Sequence, residues 1–215
     1  MNLSKLIILG AGHFGQRALI KCNNAYPQCQ ITIVDTDECR LEKSTQSISC
    51  KTVCDDGISY LNTLPKDNID ESLWIIPSIP IHVAFEWVKV CLPKQIKRLD
   101  IPDIILEQLP NVIPGKNGTV YMSYATFRCP DNCPEPFGHC FFTKQPRPIS
   151  LYEKLHNLVV NNFSSIVLGS IQLLPGVGGF QFCALNDMLI RVASSEKPVL
   201  LSTACRCHGV MDAFV

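Results

Sequence analysis

Two groups of residues, one of three cysteines and one of two cysteines and a histidine, supply the side chains in this sequence that are best suited to bind a metal. The first group, in a single loop, consists of Cys129, Cys133 and Cys140, and the second group, after the last hydrophobic run, consists of Cys205, Cys207 and His208. Zinc binds thiolates and imidazoles, whereas an iron–sulfur cluster usually takes four thiolates. We therefore expect one metal or cluster that joins the two groups, with more ligands on offer than a tetrahedral site needs.

The spacing within the loop leaves the kind of site open. Cys-x3-Cys-x6-Cys matches neither the common zinc sites nor the ferredoxin pattern. The loop from Arg128 to Cys140 is rich in proline and glycine and poor in apolar residues, so it cannot order itself by burying a core. Zinc, an iron–sulfur cluster, and reduced structural or redox-active thiols without a metal all remain open.

A glycine-rich turn near the N-terminus has the pattern of a dinucleotide-binding site. The turn is Gly10-Ala11-Gly12-His13-Phe14-Gly15, a match to G-x-G-x-x-G. Its glycines permit a tight turn, a close approach of backbone to a pyrophosphate, and close packing of a helix on a strand. Asp35, 20 residues after the last glycine, can accept hydrogen bonds from ribose hydroxyls, and its charge favours NAD over NADP. The alternative is a turn that only packs a helix on a sheet.

Alternating hydrophobic runs and helical periodicity place this turn in an α/β unit. The sequence predicts a strand from Leu3 to Leu9, a helix from Gln16 to Asn24, and strands from Gln30 to Val34, Ile48 to Val53 and Leu73 to Ile76. We expect a doubly wound, Rossmann-type, mostly parallel sheet over residues 1–116, with ligands beyond the carboxyl ends of its strands. Asp55 should then lie near the adenine, while Arg40 in the next helix keeps NADP open.

The segment from Leu6 to Asp37 resembles the NAD-binding domains of potassium-uptake regulators and, less closely, the first half of saccharopine-type and siroheme-pathway dehydrogenases. The resemblance lies in Ile-Leu-Gly-Ala-Gly-His-Phe-Gly and in Ile-Val-Asp-Thr-Asp. It implies a Rossmann fold that binds NAD or a related nucleotide. Because the functions of these families range from gating to hydride transfer, the resemblance does not select an activity.

The remaining residues, 117–215, predict a cysteine-rich α/β portion that carries the candidate metal site. The predicted elements are a strand from Gly118 to Phe127, a helix from Leu151 to Asn161, a strand from Ser165 to Leu174, a helix from Phe180 to Ala193, and a strand from Pro198 to Thr203. The run from Pro175 to Gly179 lacks the lysine and hydroxyl residue of a phosphate-binding loop, which favours a tight turn over an anion cradle.

His82 is the histidine that this arrangement places nearest to a nicotinamide. It could transfer a proton beside a hydride step, although a general base needs a positioned partner that a sequence does not show. The alternative is a residue that merely starts the predicted helix from Ile81 to Cys91.

Composition excludes several classes of partner. The 19 basic and 19 acidic residues cancel, which argues against nucleic acid and anionic membranes, and 47% hydrophobic residues exclude disorder. The uncharged run from Leu155 to Asn186 is broken by polar residues and glycines, so we expect no membrane span. The first hydrophobic run is too short for a secretory signal, so we expect a cytoplasmic protein whose 12 cysteines are reduced.

Three functional hypotheses follow from these features. The first is an NAD-dependent oxidoreductase that acts on a small molecule, with zinc or an iron–sulfur cluster near the nicotinamide. The second is a non-catalytic NAD-binding redox or regulatory protein with a structural zinc or free-thiol site. The third is a structural zinc protein with an empty glycine turn. The substrate, the direction of the reaction and the oligomeric state, a homo-oligomer included, stay open.

Overall fold

The computed structural model describes residues 3–46, 48–67, 69–92, 96–158, 160 and 162–215. Within them the chain forms an α/β structure with two sheets of mixed strand direction. The strands are β1 (Lys5–Leu9), β2 (Gln30–Asp35), β3 (Lys51–Cys54), β4 (Leu73–Pro77), β5 (Arg98–Leu99), β6 (Ile113–Pro114), β7 (Val120–Ser123), β8 (Ser164–Gly169), β9 (Ile171–Leu174), β10 (Val177–Gln181), β11 (Val199–Ala204) and β12 (His208–Phe214). The helices are α1 (His13–Ala25), α2 (Glu38–Thr45), α3 (Gly57–Thr63), α4 (Val83–Cys91), α5 (Asp103–Leu106), α6 (Leu151–His156) and α7 (Phe182–Ala193).

The first sheet has the strand order β3-β2-β1-β4-β10-β9. Its first four strands pair in parallel, and β10 and β9 extend it with antiparallel pairs. Residues 6–9 of β1 are all buried, which explains why that strand has a continuous hydrophobic run instead of alternating residue types.

The second sheet has the order β6-β7-β12-β11-β8, and β5 also pairs with β12. The pair β8–β11 is parallel, and the other pairs are antiparallel. The predicted last strand corresponds to β11, and it forms a tight hairpin with β12. The three residues Cys205, Arg206 and Cys207 therefore turn the chain directly before His208.

The predicted strand from Ser165 to Leu174 is two strands that belong to different sheets. Ser170 separates β8 in the second sheet from β9 in the first. The predicted turn from Pro175 to Gly179 already becomes strand β10 at Val177. Gly179 permits the close approach of β10 to β4, because a Cβ there would lie 2.6 Å from the Ile75 carbonyl oxygen. The expected units 1–116 and 117–215 are thus interleaved. The predicted helix end at residues 159 and 161 lies outside the described residues.

Helices α4 and α7 pack between the two sheets and unite them through one core. This core contains Ile75 from the first sheet and Leu201 and Phe214 from the second, together with the fully buried Trp87 and Phe182 from the helices. Among the residues described, no helix combines the length and apolar character that a bilayer crossing requires.

A buried polar network also joins the sheets. His82, just before α4, is 3% exposed, and its Nδ1 lies 2.7 Å from Asp212 Oδ2 on β12. An ionised carboxylate only accepts hydrogen bonds, so Nδ1 donates, and His82 Nε2 lies 3.0 Å from Thr203 Oγ1 on β11. The other carboxylate oxygen of Asp212 accepts hydrogen bonds from Thr119 and Arg98. His82 is therefore a buried link with both ring nitrogens engaged by protein groups.

We predict that Asp212→Asn lowers the free energy of unfolding by about 3 kcal/mol at neutral pH, because one partner of a buried charged network is removed. Burial alone would raise the pKa of Asp212, but hydrogen bonds from His82 and Thr119 and the charge of Arg98 lower it overall. Its contribution is thus complete above the unfolded-state pKa of about 3.9 and is lost as the pH falls through the lower folded-state pKa.

Urea unfolding at pH 7 and in steps below pH 4 would check this. The free energy of unfolding of the wild type should fall as the pH is lowered below 4. That of Asp212→Asn should fall by a smaller amount, because the variant lacks the titrating carboxylate. Asp187→Asn on the exposed side of α7 is the matched control, with little change expected at either pH. Equal stability of the two variants would contradict a stabilising role for the network.

Candidate functional site

The glycine-rich turn connects β1 to α1 with a geometry that needs two of its glycines. Gly10 has a φ of +96°, and a Cβ there would lie 2.9 Å from the Ser78 carbonyl oxygen. A Cβ at Gly15 would lie 1.8 Å from the Gly10 carbonyl oxygen, so helix and turn are in direct backbone contact. By contrast, a Cβ at Gly12 would meet nothing within 4 Å, which leaves open space beside the first turn of α1.

Asp35 closes this turn from the end of β2. Its Oδ2 accepts a hydrogen bond from the Ala11 N–H at 2.6 Å, and its Oδ1 accepts one from the Asp37 N–H at 2.9 Å. Arg40 on α2 lies closer to Asp35 than its position in the sequence indicates. Its Nη1 is 3.9 Å from Asp35 Oδ2. Asp55 lies beyond the neighbouring strand, where its N–H donates to the Asp35 carbonyl oxygen at 3.2 Å.

Cys129, Cys133 and Cys140 lie in a segment here called the thiol loop (residues 124–149), which contains no helix or strand. It is held by its neighbours instead. Arg17 on α1 donates hydrogen bonds to the carboxylate and the carbonyl oxygen of Asp131. The Cys133 carbonyl oxygen accepts from Gln172 Nε2 at 2.7 Å and from the Gly176 N–H at 3.1 Å. The thiol loop is therefore docked on α1, which follows the glycine-rich turn, and on the hairpin of β9 and β10.

Gly176 fits against the thiol loop at a distance that excludes a side chain. Its φ is +74°, and a Cβ would lie 1.7 Å from the Asp131 carbonyl oxygen. The run that sequence analysis assigned to a tight turn thus has a second role, as the surface on which the thiol loop rests.

A cavity of about 480 Å³, here called the thiol pocket, lies between the thiol loop and the hairpin turn that leads into β12. All six candidate ligands line it, namely Cys129, Cys133, Cys140, Cys205, Cys207 and His208. Phe14 of the glycine-rich turn forms part of its wall. The structure therefore brings the two cysteine groups together, and it places them beside the candidate nucleotide site.

His208 and Glu135 are at the centre of this group. His208 Nδ1 lies 3.9 Å from Cys205 Sγ, and its Nε2 lies 3.6 Å from Cys129 Sγ. Glu135, Cys205 and His208 each offer a ligand atom, and these atoms all lie within 4.8 Å of one another. Sequence analysis missed Glu135, because it considered only thiols and imidazoles; the signal was a carboxylate between Cys133 and Cys140 in the same loop.

Two further thiols of the pocket, Cys207 and Cys140, accept hydrogen bonds from other residues. Arg147 Nη1 donates to Cys207 Sγ at 2.7 Å, and burial raises the pKa of the Cys207 thiol against the opposing charge of Arg147. The Thr143 N–H donates to Cys140 Sγ at 3.5 Å. Burial alone would raise the pKa of the Cys140 thiol, but hydrogen bonds from Thr143 lower it overall.

Burial and a nearby carboxylate set the protonation of the central group. Burial, followed by the charge of Glu135, raises the pKa of the Cys205 thiol strongly. The protein around His208 lowers the pKa of its imidazole through desolvation. A neutral imidazole is the form that binds a metal, and a cation beside Glu135 would favour the Cys205 thiolate.

One family and one relative match this chain, the family over its C-terminal part and the relative over nearly its full length. A protein family described as "Uncharacterized protein, C-terminal domain" matches residues 83–215. A relative from Archaeoglobus fulgidus, named "Uncharacterized protein", is 29% identical over 220 residues, which cover 96% of this chain and 97% of the relative. No solved structure matches the chain. The family match begins after the glycine-rich turn, so the resemblance of that turn to NAD-binding domains stays a prediction.

We predict that Gly176→Ala releases the thiol loop, because the new Cβ would overlap the Asp131 carbonyl oxygen. Thiol-reagent labelling of Cys129 and Cys133, followed by mass spectrometry, should become several-fold faster than in the wild type. Gly118→Ala is the matched control, since Gly118 has a φ of +83° but nothing within 4 Å of a Cβ. Gly118→Ala should lower the free energy of unfolding by about 1 kcal/mol through backbone strain. It should leave the labelling rate of Cys129 and Cys133 unchanged. Equal labelling of both variants would show that the thiol loop does not depend on this contact.

Proposed function

The chain belongs to the family whose model matches residues 83–215, named AF_1314_C, and we propose that it is an NAD(H)-binding oxidoreductase with a metal site in its thiol pocket. The observation that carries this proposal is the wall shared by the two candidate sites. Phe14 belongs to the glycine-rich turn and also lines the thiol pocket, and Arg17 one turn later binds Asp131 of the thiol loop. A nucleotide on the turn and a metal in the pocket would be neighbours.

Nucleotide binding is supported by the arrangement around β1. The parallel order β3-β2-β1-β4 and the glycine-rich turn between β1 and α1 are features of a doubly wound, Rossmann-type unit, in which ligands lie beyond the carboxyl ends of the strands. The space beside Gly12 leaves room for a pyrophosphate at the start of α1, where free N–H groups and the helix dipole favour anions.

Metal binding is supported by one orphaned atom. Glu135 Oε1 is buried and has no hydrogen-bond partner within the described part of the chain. Such an atom costs free energy unless something binds it, and a cation held by Glu135, Cys205 and His208 would do so. Since an ion or cluster would also order the thiol loop, a non-catalytic NAD-binding protein with a structural metal is the second candidate. The 12 free cysteines support a reducing location, for which we propose the cytoplasm.

We expect calorimetry to show that NAD or NADH binds with a clear preference over NADP. Gly12→Val should abolish binding but not folding, because its side chain would fill space that is open in the protein. Asp35→Ala should reduce the difference in affinity between NAD and NADP, since it removes the carboxylate that repels the extra phosphate of NADP. Arg40→Ala should widen this difference in affinity, because Arg40 on α2 lies 3.9 Å from Asp35 and its charge would attract the extra phosphate of NADP.

Equal affinity of the wild type for both nucleotides, or no binding of either, would refute the nucleotide assignment.

The metal half of the proposal has its own test, which is metal analysis of anaerobically purified protein together with its visible spectrum. Cys205→Ser should lower the metal content, whereas Cys183→Ser on α7, outside the thiol pocket, should not. Protein that contains no metal as purified and binds none on titration would leave only the nucleotide function.

A further inference from the structure

We propose that the thiol pocket binds one divalent metal ion through Glu135, Cys205 and His208, with an open coordination position that faces the cavity and takes the oxygen of a small alcohol or carbonyl substrate. The substrate half of this inference rests on the proposed NAD(H)-dependent function. The ligand half stands on the geometry of the pocket alone.

The first argument is the donor set. The ligand atoms of Glu135, Cys205 and His208 lie within 4.8 Å of one another, a spacing compatible with one shared ion. A carboxylate oxygen, a thiolate and an imidazole nitrogen are all ligands of zinc, whereas an iron–sulfur cluster is typically held by thiolates. Glu135 adopts a φ of +46°, which is unusual for a residue other than glycine, and it brings an unpartnered buried oxygen to this point.

The second argument is the orientation of His208. Its Nδ1 faces Cys205 and its Nε2 faces Cys129, and one ion cannot bind both nitrogens of an imidazole. An ion held with Cys205 and Nδ1 therefore leaves Cys129 as the partner of Nε2. A partner on the second nitrogen fixes the tautomer and orientation of a metal-bound histidine, so Cys129 acts as a positioning residue and not as a ligand.

The third argument is that the other thiols of the pocket lie outside this group of ligand atoms. Within the described residues, the group within 4.8 Å contains Glu135, Cys205 and His208 but not Cys133, Cys140 or Cys207. Cys207 and Cys140 instead accept hydrogen bonds from Arg147 and Thr143. In this arrangement the ion has three protein ligands, which is the number found in catalytic metal sites that keep a fourth position open.

The cavity indicates what the fourth position receives. The space of about 480 Å³ is bordered by Phe14 at 57% exposure and Phe142 at 64% exposure. These apolar rings suit a small organic molecule, and a metal ion binds and polarises its oxygen. Phe14 is also where the proposed nucleotide would approach the pocket.

The reaction balances with NAD as the partner. In the oxidation of an alcohol, the C–H bond at the carbinol carbon breaks and both of its electrons pass with the hydrogen to the nicotinamide as hydride. The hydroxyl proton goes to solvent, and the products are a carbonyl compound and NADH. The metal ion keeps its oxidation state throughout, so no further oxidant or reductant is needed.

Cobalt titration of the chelator-treated full chain tests the ligands. Co²⁺ should bind with one equivalent and give intense visible bands of a tetrahedral ion and a thiolate charge-transfer band. Glu135→Gln and His208→Gln should weaken binding by roughly 100-fold, and Cys129→Ser by about 10-fold, since outer partners of metal ligands are worth about 10–100-fold. Cys140→Ser is the matched control in the same pocket and should bind Co²⁺ as the wild type does.

Imidazole added to the cobalt protein tests the open position. A shift of the visible bands is expected, and an unchanged spectrum would show a closed site and overturn the substrate assignment. Loss of metal in Cys140→Ser or Cys133→Ser but not in Glu135→Gln, or an iron–sulfur spectrum in protein as purified, would overturn the three-ligand site. Circular dichroism of each variant separates loss of a ligand from loss of the fold.

Turnover with NAD and a series from ethanol to 1-butanol, monitored as NADH formation, completes the test. The zinc-loaded wild type should form NADH and Glu135→Gln should not, while calorimetry should give equal nucleotide affinity for both. No NADH from any alcohol, and no NADH consumption with the matching aldehydes, would overturn the substrate class. Failure of nucleotide binding in the wild type would instead refute the proposed function, and cobalt binding would still test the metal site.

Discussion

The carboxylate of Asp212 is the interaction on which the position of the site depends. It lies in the middle of β12, and it accepts hydrogen bonds from His82 before α4, from Thr119 before β7 and from Arg98 on β5. Four separate parts of the chain meet at one buried charge, so they must adopt one relative arrangement for that charge to be satisfied.

This arrangement extends directly to the thiol pocket. Thr203, the partner of His82, lies two residues before Cys205, and Asp212 lies on the strand that begins with His208. The hairpin that presents Cys205 and His208 is thus fixed by buried contacts, whereas the thiol loop opposite is fixed by contacts at its surface. One wall of the pocket is rigid because of its own sheet, and the other is ordered only because it is docked.

The features that the sequence predicted are those with a local physical cause. The tight turn at Gly10, the close contact at Gly15 and the position of Asp35 all follow from residues within one strand–turn–helix–strand unit. The meeting of two cysteine groups in one pocket was also an expectation from sequence, since strands bring their ends to defined edges. The division of the chain at Ser170 was not predictable, because nothing local distinguishes one long strand from two strands in different sheets. The contact of Arg17 with Asp131 and the approach of Glu135 to Cys205 and His208 depend on distant segments in the same way.

The pairing of β10 with β4 has a consequence for how this chain is made. The edge of β4 is complete only after β10 has been synthesised, and about 100 residues separate Pro77 from Val177. At typical translation rates of about 5–20 residues per second, the newly made parallel strands wait on the order of 5–20 seconds with an unpaired edge. An open, apolar strand edge is a template for association with other chains. During that interval we expect the nascent chain to be a target for chaperones, until Phe180 and Gln181 of β10 pair with β4 and cover this edge.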